Sequence, residues 1–166
     1  MVGDGVSQTT RQTADRQVPR QRRQLSRTPW PVLGVISAGG ALGAMARYGL
    51  ATAWPHQPGQ FPWATFVTNA TGCLLIGVLM VLITEVWAAH RLVRPFLGVG
   101  ILGGYTTFST YAVDVQQLVA AGAARTGLAY LVGTVAAALA AVYLGVALTR
   151  LATRNRAGRP RTRRSS

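Results

Sequence analysis

The stretch ATFVTNATGCLLIGVLMVLIT, Ala64 to Thr84, runs for 21 residues without a charge and is closed by Glu85. At about 1.5 Å of rise per residue, a helix of that length crosses a hydrocarbon core of about 30 Å. Before it, AWPHQPGQFP (Ala53 to Pro62) carries three prolines and a glycine and reads as a loop. Earlier still, Trp30 to Trp54 is apolar apart from Arg47 and makes another span. On the other side, His90, Arg91 and Arg94 precede Pro95 in a short basic turn. Phe96 to about Val119 then gives a third span and Thr126 to Thr149 a fourth, rich in Ala and Gly. The expected fold class is all-α, a membrane protein of four transmembrane helices. Four spans put both ends of the chain on one side.

Composition supports this and excludes an ordinary soluble domain: of the 166 residues 49% are hydrophobic and only 13% charged. Three regions are expected: a disordered basic tail (1–29), a four-helix transmembrane domain (30–149) and a basic C-terminal tail (150–166). The first tail is rich in Gln, Arg, Ser and Thr without apolar periodicity, too polar to offset the entropy of ordering. It is also too long a polar lead for a cleavable signal peptide, so the first apolar segment is expected to stay. The single Cys73 permits no internal disulfide and reads as a small packing residue in an apolar run.

The net charge of +13 comes from 17 arginines. Six lie in the N-terminal tail, seven lie from Arg150 onward, and Arg91 and Arg94 sit in the turn after the second span, 15 on one side in all. Only Arg47 and Arg125 fall to the other side. The positive-inside rule then predicts both termini in the cytoplasm of a multi-pass cell-membrane protein. Nucleic acid is not an expected partner, because the tails have almost no aromatic residues to stack on bases. Small residues recur where helix backbones would approach in lipid: Gly39, Gly40 and Gly43, Gly72 and Gly77, and Gly133, Ala137 and Ala141.

Polar groups inside a span are costly and usually functional. In the second span Thr65, Thr68 and Asn69 share a face, and the Asn69 amide offers two donors, to an anion or to a neighbouring helix. The third span reads Gly103-Gly104-Tyr105-Thr106-Thr107-Phe108-Ser109-Thr110-Tyr111. Two glycines followed by hydroxyl residues predict a broken helix, because Gly is a poor helix former and Ser/Thr can satisfy the freed backbone. Carbonyls freed there must bond another helix, line water or coordinate a hard cation. Phe108 and Tyr111 read either as an aromatic packing stripe or as ring edges that, with the hydroxyls of Ser109 and Thr110, meet a small anion without trapping it. Arg47 lies close enough to a helix end to snorkel, or it draws anions into a vestibule. Asp114 is expected solvated or paired with an arginine. No cluster has metal-ligand spacing among His, Cys, Asp and Glu, and there is no nucleophile-base pair, so the chain is not expected to be an enzyme.

GGALGAMARY (Gly39 to Tyr48), FVTNATGCLLIG (Phe66 to Gly77) and LGGYTTFSTY (Leu102 to Tyr111), followed by Tyr130, Thr134 and Leu144-Gly145, resemble the Fluc, or CrcB, family of fluoride channels over about residues 35–150. The resemblance implies a fluoride-selective channel that exports fluoride passively from the cytoplasm and relieves its toxicity. It implies an antiparallel dimer with two pores, whose broken third helices cross around a structural sodium ion held by the backbone carbonyls of Gly103 and Thr106. It places Phe108, Tyr111 and Asn69 in the pore, Tyr130 and Thr134 on a hydroxyl track, and Arg47 in the vestibule. This sequence departs from the family in carrying Tyr111 where Phe is common and Ala138 where Ser is frequent.

The arginine bias sharpens the expectation of a dimer. One sequence that inserts both ways needs weak charge asymmetry, so a homologous, oppositely oriented second subunit is expected. Two rivals make different demands. A small proton-coupled exporter needs a carboxylate deep in a span, and a non-transporting scaffold needs the basic tails, which a channel largely does not.

Overall fold

The computed structural model describes residues 30–86 and 91–157, all of their regular structure helical. The expected N-terminal tail, His90 of the basic turn and the last nine residues lie outside the described residues. The chain divides into two units, Met1–Gly34 and Val35–Ser166, and the helix packing belongs to the second.

The first span is α1 (Trp30–Ala53). After a loop turned by Gly59 at φ 84°, Pro62 opens α2 (Trp63–Val81), which passes into a π-helical turn, π1 (Leu82–Val86). The third span begins at Pro95 as a π-helix, π2 (Pro95–Leu102), and continues through one turn, α3 (Gly103–Tyr105). There it breaks, with Thr106 extended at ψ 157°, and resumes as α4 (Ser109–Ala120). The last span, α5 (Ala124–Ala157), outruns the expected end at Thr149 by about two turns. Arginine and alanine are good helix formers, and nothing between Thr149 and Ala157 stops propagation.

The turn from α4 into α5 is compact because Gly122 takes φ 75°, closing the helix with Ala123 N–H on the Leu118 carbonyl at 2.9 Å. This folds α4 back against α5 and buries Leu118.

Elsewhere the packing depends on close backbone approach. α2 and α5 make the most extensive contact, and a Cβ on Gly77 would collide with the Val142 carbonyl. A Cβ on Gly43 would collide with the Ile101 carbonyl and stand 2.7 Å from the Tyr105 nitrogen, so α1 lies directly on the third span. Gly133 opens on space and is not part of such a seam. Because backbone atoms cannot move aside, Gly77→Val is expected to destabilise the protein by about 1–3 kcal/mol, read as a lower thermal unfolding midpoint in detergent.

Two apolar clusters fill the interior. Leu79, Ile83 and Leu102 pack with Leu97 near one end, while Tyr111, Leu118 and Tyr130 pack with Phe61 and Phe66 near the other. The exterior is apolar too: Met45, Leu128, Leu139 and Leu148 are all more than half exposed. Such a surface suits hydrocarbon rather than water. Among the described residues, Trp63–Val86 and Ala124–Arg154 are individually long and apolar enough to cross a membrane. The break leaves the third span in pieces that are each too short for that test.

Candidate functional site

The break in the third span is held from outside by Asn69. Its Nδ2 donates to the Thr107 carbonyl at 2.9 Å, and its Oδ1 accepts the Thr107 N–H at 2.9 Å. The Asn69 amide thus takes the place of a backbone neighbour for a residue that the break has deprived of one. Of the two roles open to Asn69, interhelical bonding is one it performs. Its second Nδ2 hydrogen meets no described acceptor, so one donor is left over.

Thr107 does the rest of the local work. Its hydroxyl accepts the Thr110 N–H at 3.2 Å, capping the restarted helix, and donates to the Thr110 hydroxyl at 3.0 Å, with Ser109 Oγ 3.4 Å away. Thr106 closes the first half: its N–H and its hydroxyl both donate to the Leu102 carbonyl at 3.0 Å. Among the described residues no hydrogen bond reaches the carbonyls of Gly103 or Thr106.

Two clefts meet at the break. The first, about 230 Å³, is lined by Arg47, Tyr48, Thr65, Thr68, Thr107 and Thr110. Arg47 Nε is buried there without a hydrogen-bond partner among the described residues. The second, about 250 Å³, is lined by Asn69, Thr107, Phe108, Tyr111 and Thr134, with Cys73 and Ala138. The buried Thr134 hydroxyl likewise has no partner among the described residues. Thr107 belongs to both clefts.

The two rings occupy different surroundings. Phe108 is 80% exposed, whereas Tyr111 is buried, their centroids 5.9 Å apart and tilted by 51°. The extra hydroxyl of Tyr111 donates to the Leu131 carbonyl at 2.7 Å. It is tied to α5 rather than left in the cleft. Tyr111→Phe is therefore expected to keep whatever activity the cleft supports, measured beside the unaltered chain.

The structure brings Asn69, Phe108, Tyr111 and Thr134 together, and sets Arg47 with Thr110 on the other side of Thr107. Ser109 is exposed beside the break. Tyr130 lines neither cleft: it is fully buried, ring to ring with Tyr111 at 5.3 Å, and its hydroxyl donates to Asp114 Oδ2 at 3.1 Å. Asp114 is therefore neither solvated nor paired with an arginine, but 5% exposed and held by a phenol. Thr107 is not singled out by its residue type, although its place in the Thr-Thr pair after two glycines is the signal available. Among the described residues no group of His, Cys, Asp and Glu could hold a metal ion, which leaves backbone carbonyl, hydroxyl and amide oxygens as the donors for any cation at the break.

The family described as "CrcB-like protein, Camphor Resistance (CrcB)" matches residues 34–146. A Nocardia farcinica protein named "Fluoride-specific ion channel FluC 2" is 59% identical over 122 residues, covering 74% of this chain and 87% of the relative. "Fluoride-specific ion channel FluC 1" of Streptomyces coelicolor is 60% identical over 118 residues, covering 71% and 77%. A more distant relative, "Fluoride-specific ion channel FluC" of Nitrobacter winogradskyi, is 39% identical over 123 residues, covering 74% of this chain and 98% of the relative.

Proposed function

The chain belongs to the CrcB family, and from that premise we propose that it is a subunit of a fluoride-selective channel, exporting fluoride passively from the cytoplasm and relieving fluoride toxicity. The second cleft carries the reading. It combines the spare Asn69 N–H, the Thr134 hydroxyl that has no partner among the described residues, and the exposed Phe108 ring around a break in the helix. Neutral donors and ring edges can replace part of an anion's hydration without a full positive charge to hold it in place. Arg47, in the cleft beyond Thr107, supplies the positive potential at the approach. Ser109 and Thr110 add hydroxyls at the break, and Tyr130 fixes the Tyr111 ring from behind.

An antiparallel dimer completes the site. An aromatic ring 80% exposed in mid-span and carbonyls without hydrogen bonds among the described residues are unfavourable against lipid, and a second subunit crossing at the break would cover both. The carbonyls of Gly103 and Thr106 fit a structural sodium ion, since a hard cation prefers neutral oxygen donors of this kind. When bound, it would join the two breaks electrostatically. The arginine asymmetry favours both termini in the cytoplasm and a partner that is a homologous chain of opposite orientation.

Fluoride efflux from liposomes, with chloride as control, tests the reading. The chain reconstituted with an oppositely oriented homologue is expected to release fluoride and retain chloride, and the chain alone to release little. Equal fluoride and chloride release would overturn fluoride selectivity. Buried Asp114 is the observation that favours a proton-coupled exporter instead, and a pH gradient separates the two: channel flux is unchanged by it, whereas coupled flux follows it.

A further inference from the structure

A third cleft, about 270 Å³, lies away from the break between α2 and π2. Leu79 and Leu102 are its buried floor, Val78 and Ile101 its walls, and Leu75 in α2 and Leu82 at the start of π1 mark its ends. Seven residues separate Leu75 from Leu82, about 10.5 Å of helix. The groove therefore runs from mid-span toward one membrane face and offers almost nothing but hydrocarbon.

That face is basic. Leu97, which also lines the groove, stands one turn from Arg94. Leu82 stands one turn from Glu85, which holds Arg150 of α5 at 2.8 Å, so α5 ends at the same membrane face with Arg154 one turn further on. Arg91, Arg94 and Arg154 are exposed and, among the described residues, have no acidic partner. An apolar slot that ends beneath unpaired arginines matches one kind of molecule: a negative headgroup above a hydrocarbon tail.

We propose that this groove binds the acyl chain of an anionic glycerophospholipid whose phosphate is met by Arg94 and Arg154. Basic residues at the mouth of a groove between transmembrane helices recognise lipid headgroups by charge, and the groove itself holds the tail by apolar burial. The site is separate from both clefts at the break and does not depend on what passes through them.

Native mass spectrometry of the full chain in detergent, titrated with phosphatidylglycerol or phosphatidylcholine of the same acyl composition, tests this. One phosphatidylglycerol per chain is expected to bind about tenfold more tightly than phosphatidylcholine. The double variant R94Q/R154Q, confined to exposed positions, is expected to remove that preference and leave phosphatidylcholine binding unchanged. Val78→Trp, which fills the slot, is expected to weaken both lipids. Equal binding of the two lipids by the unaltered chain, or an unchanged preference in R94Q/R154Q, would overturn the proposal. So would a Val78→Trp chain that keeps its lipid but no longer assembles with a second subunit, since the groove would then belong to the subunit interface.

Discussion

Asn69→Leu is expected to abolish fluoride efflux and to lower the thermal unfolding midpoint together. The substitution preserves approximate volume but deletes both hydrogen bonds to Thr107. Thr107 is 9% exposed, so its freed groups lie largely out of bulk water. Leaving the N–H alone unpaired costs about 1–3 kcal/mol, and its carbonyl loses a donor as well. The break then either closes toward regular helix or shifts Phe108 and Thr110, whose positions follow from Thr107. Efflux and unfolding measured on one preparation separate the two roles of the amide. Loss of flux with an unchanged midpoint would mean that Asn69 acts only as a donor to the ion, and the bracing role would be withdrawn.

Phe108→Ile is expected to suppress fluoride efflux at least about tenfold, equivalent to about 1.4 kcal/mol of lost stabilisation along the path, while the protein stays folded. The distinction rests on exposure. A ring 80% exposed contributes little to the interior of its own subunit, so removing it leaves the apolar clusters intact. Isoleucine keeps an apolar side chain of useful bulk but has no ring edge to present to an anion. Full flux in the folded variant would leave hydroxyls and amide as the sole contributors and discard the aromatic contribution.

Much of the fold was legible because hydropathy is local. A run such as 64–84 declares a span whatever surrounds it, and Gly103-Gly104 followed by hydroxyl residues declares a break for reasons contained in those residues. What escaped depends on register between spans. The Asn69–Thr107 clamp joins residues 38 apart, and nothing in either residue says which side of α2 meets the break. Asp114 lies a few residues from a helix end and reads as solvated or paired with an arginine, yet Gly122 folds α4 onto α5 and delivers it to Tyr130. The same folding buries Tyr130, the residue that the family resemblance places on a hydroxyl track. Gly133 is the converse case, a small residue at a suggestive interval that meets no neighbour among the described residues. The two-turn overrun of α5 follows from reading a change of charge as a change of conformation.

The clamp on the break also bears on how the chain is made. Synthesis runs from the amino terminus, so α2 has left the ribosome before the third span arrives, and Asn69 can engage Thr107 as soon as that span enters the bilayer. Tyr130 comes 16 residues after Asp114, so that carboxylate waits for the final span before it is secured. The interrupted backbone can thus be protected early in insertion, while the buried acid waits for the last span.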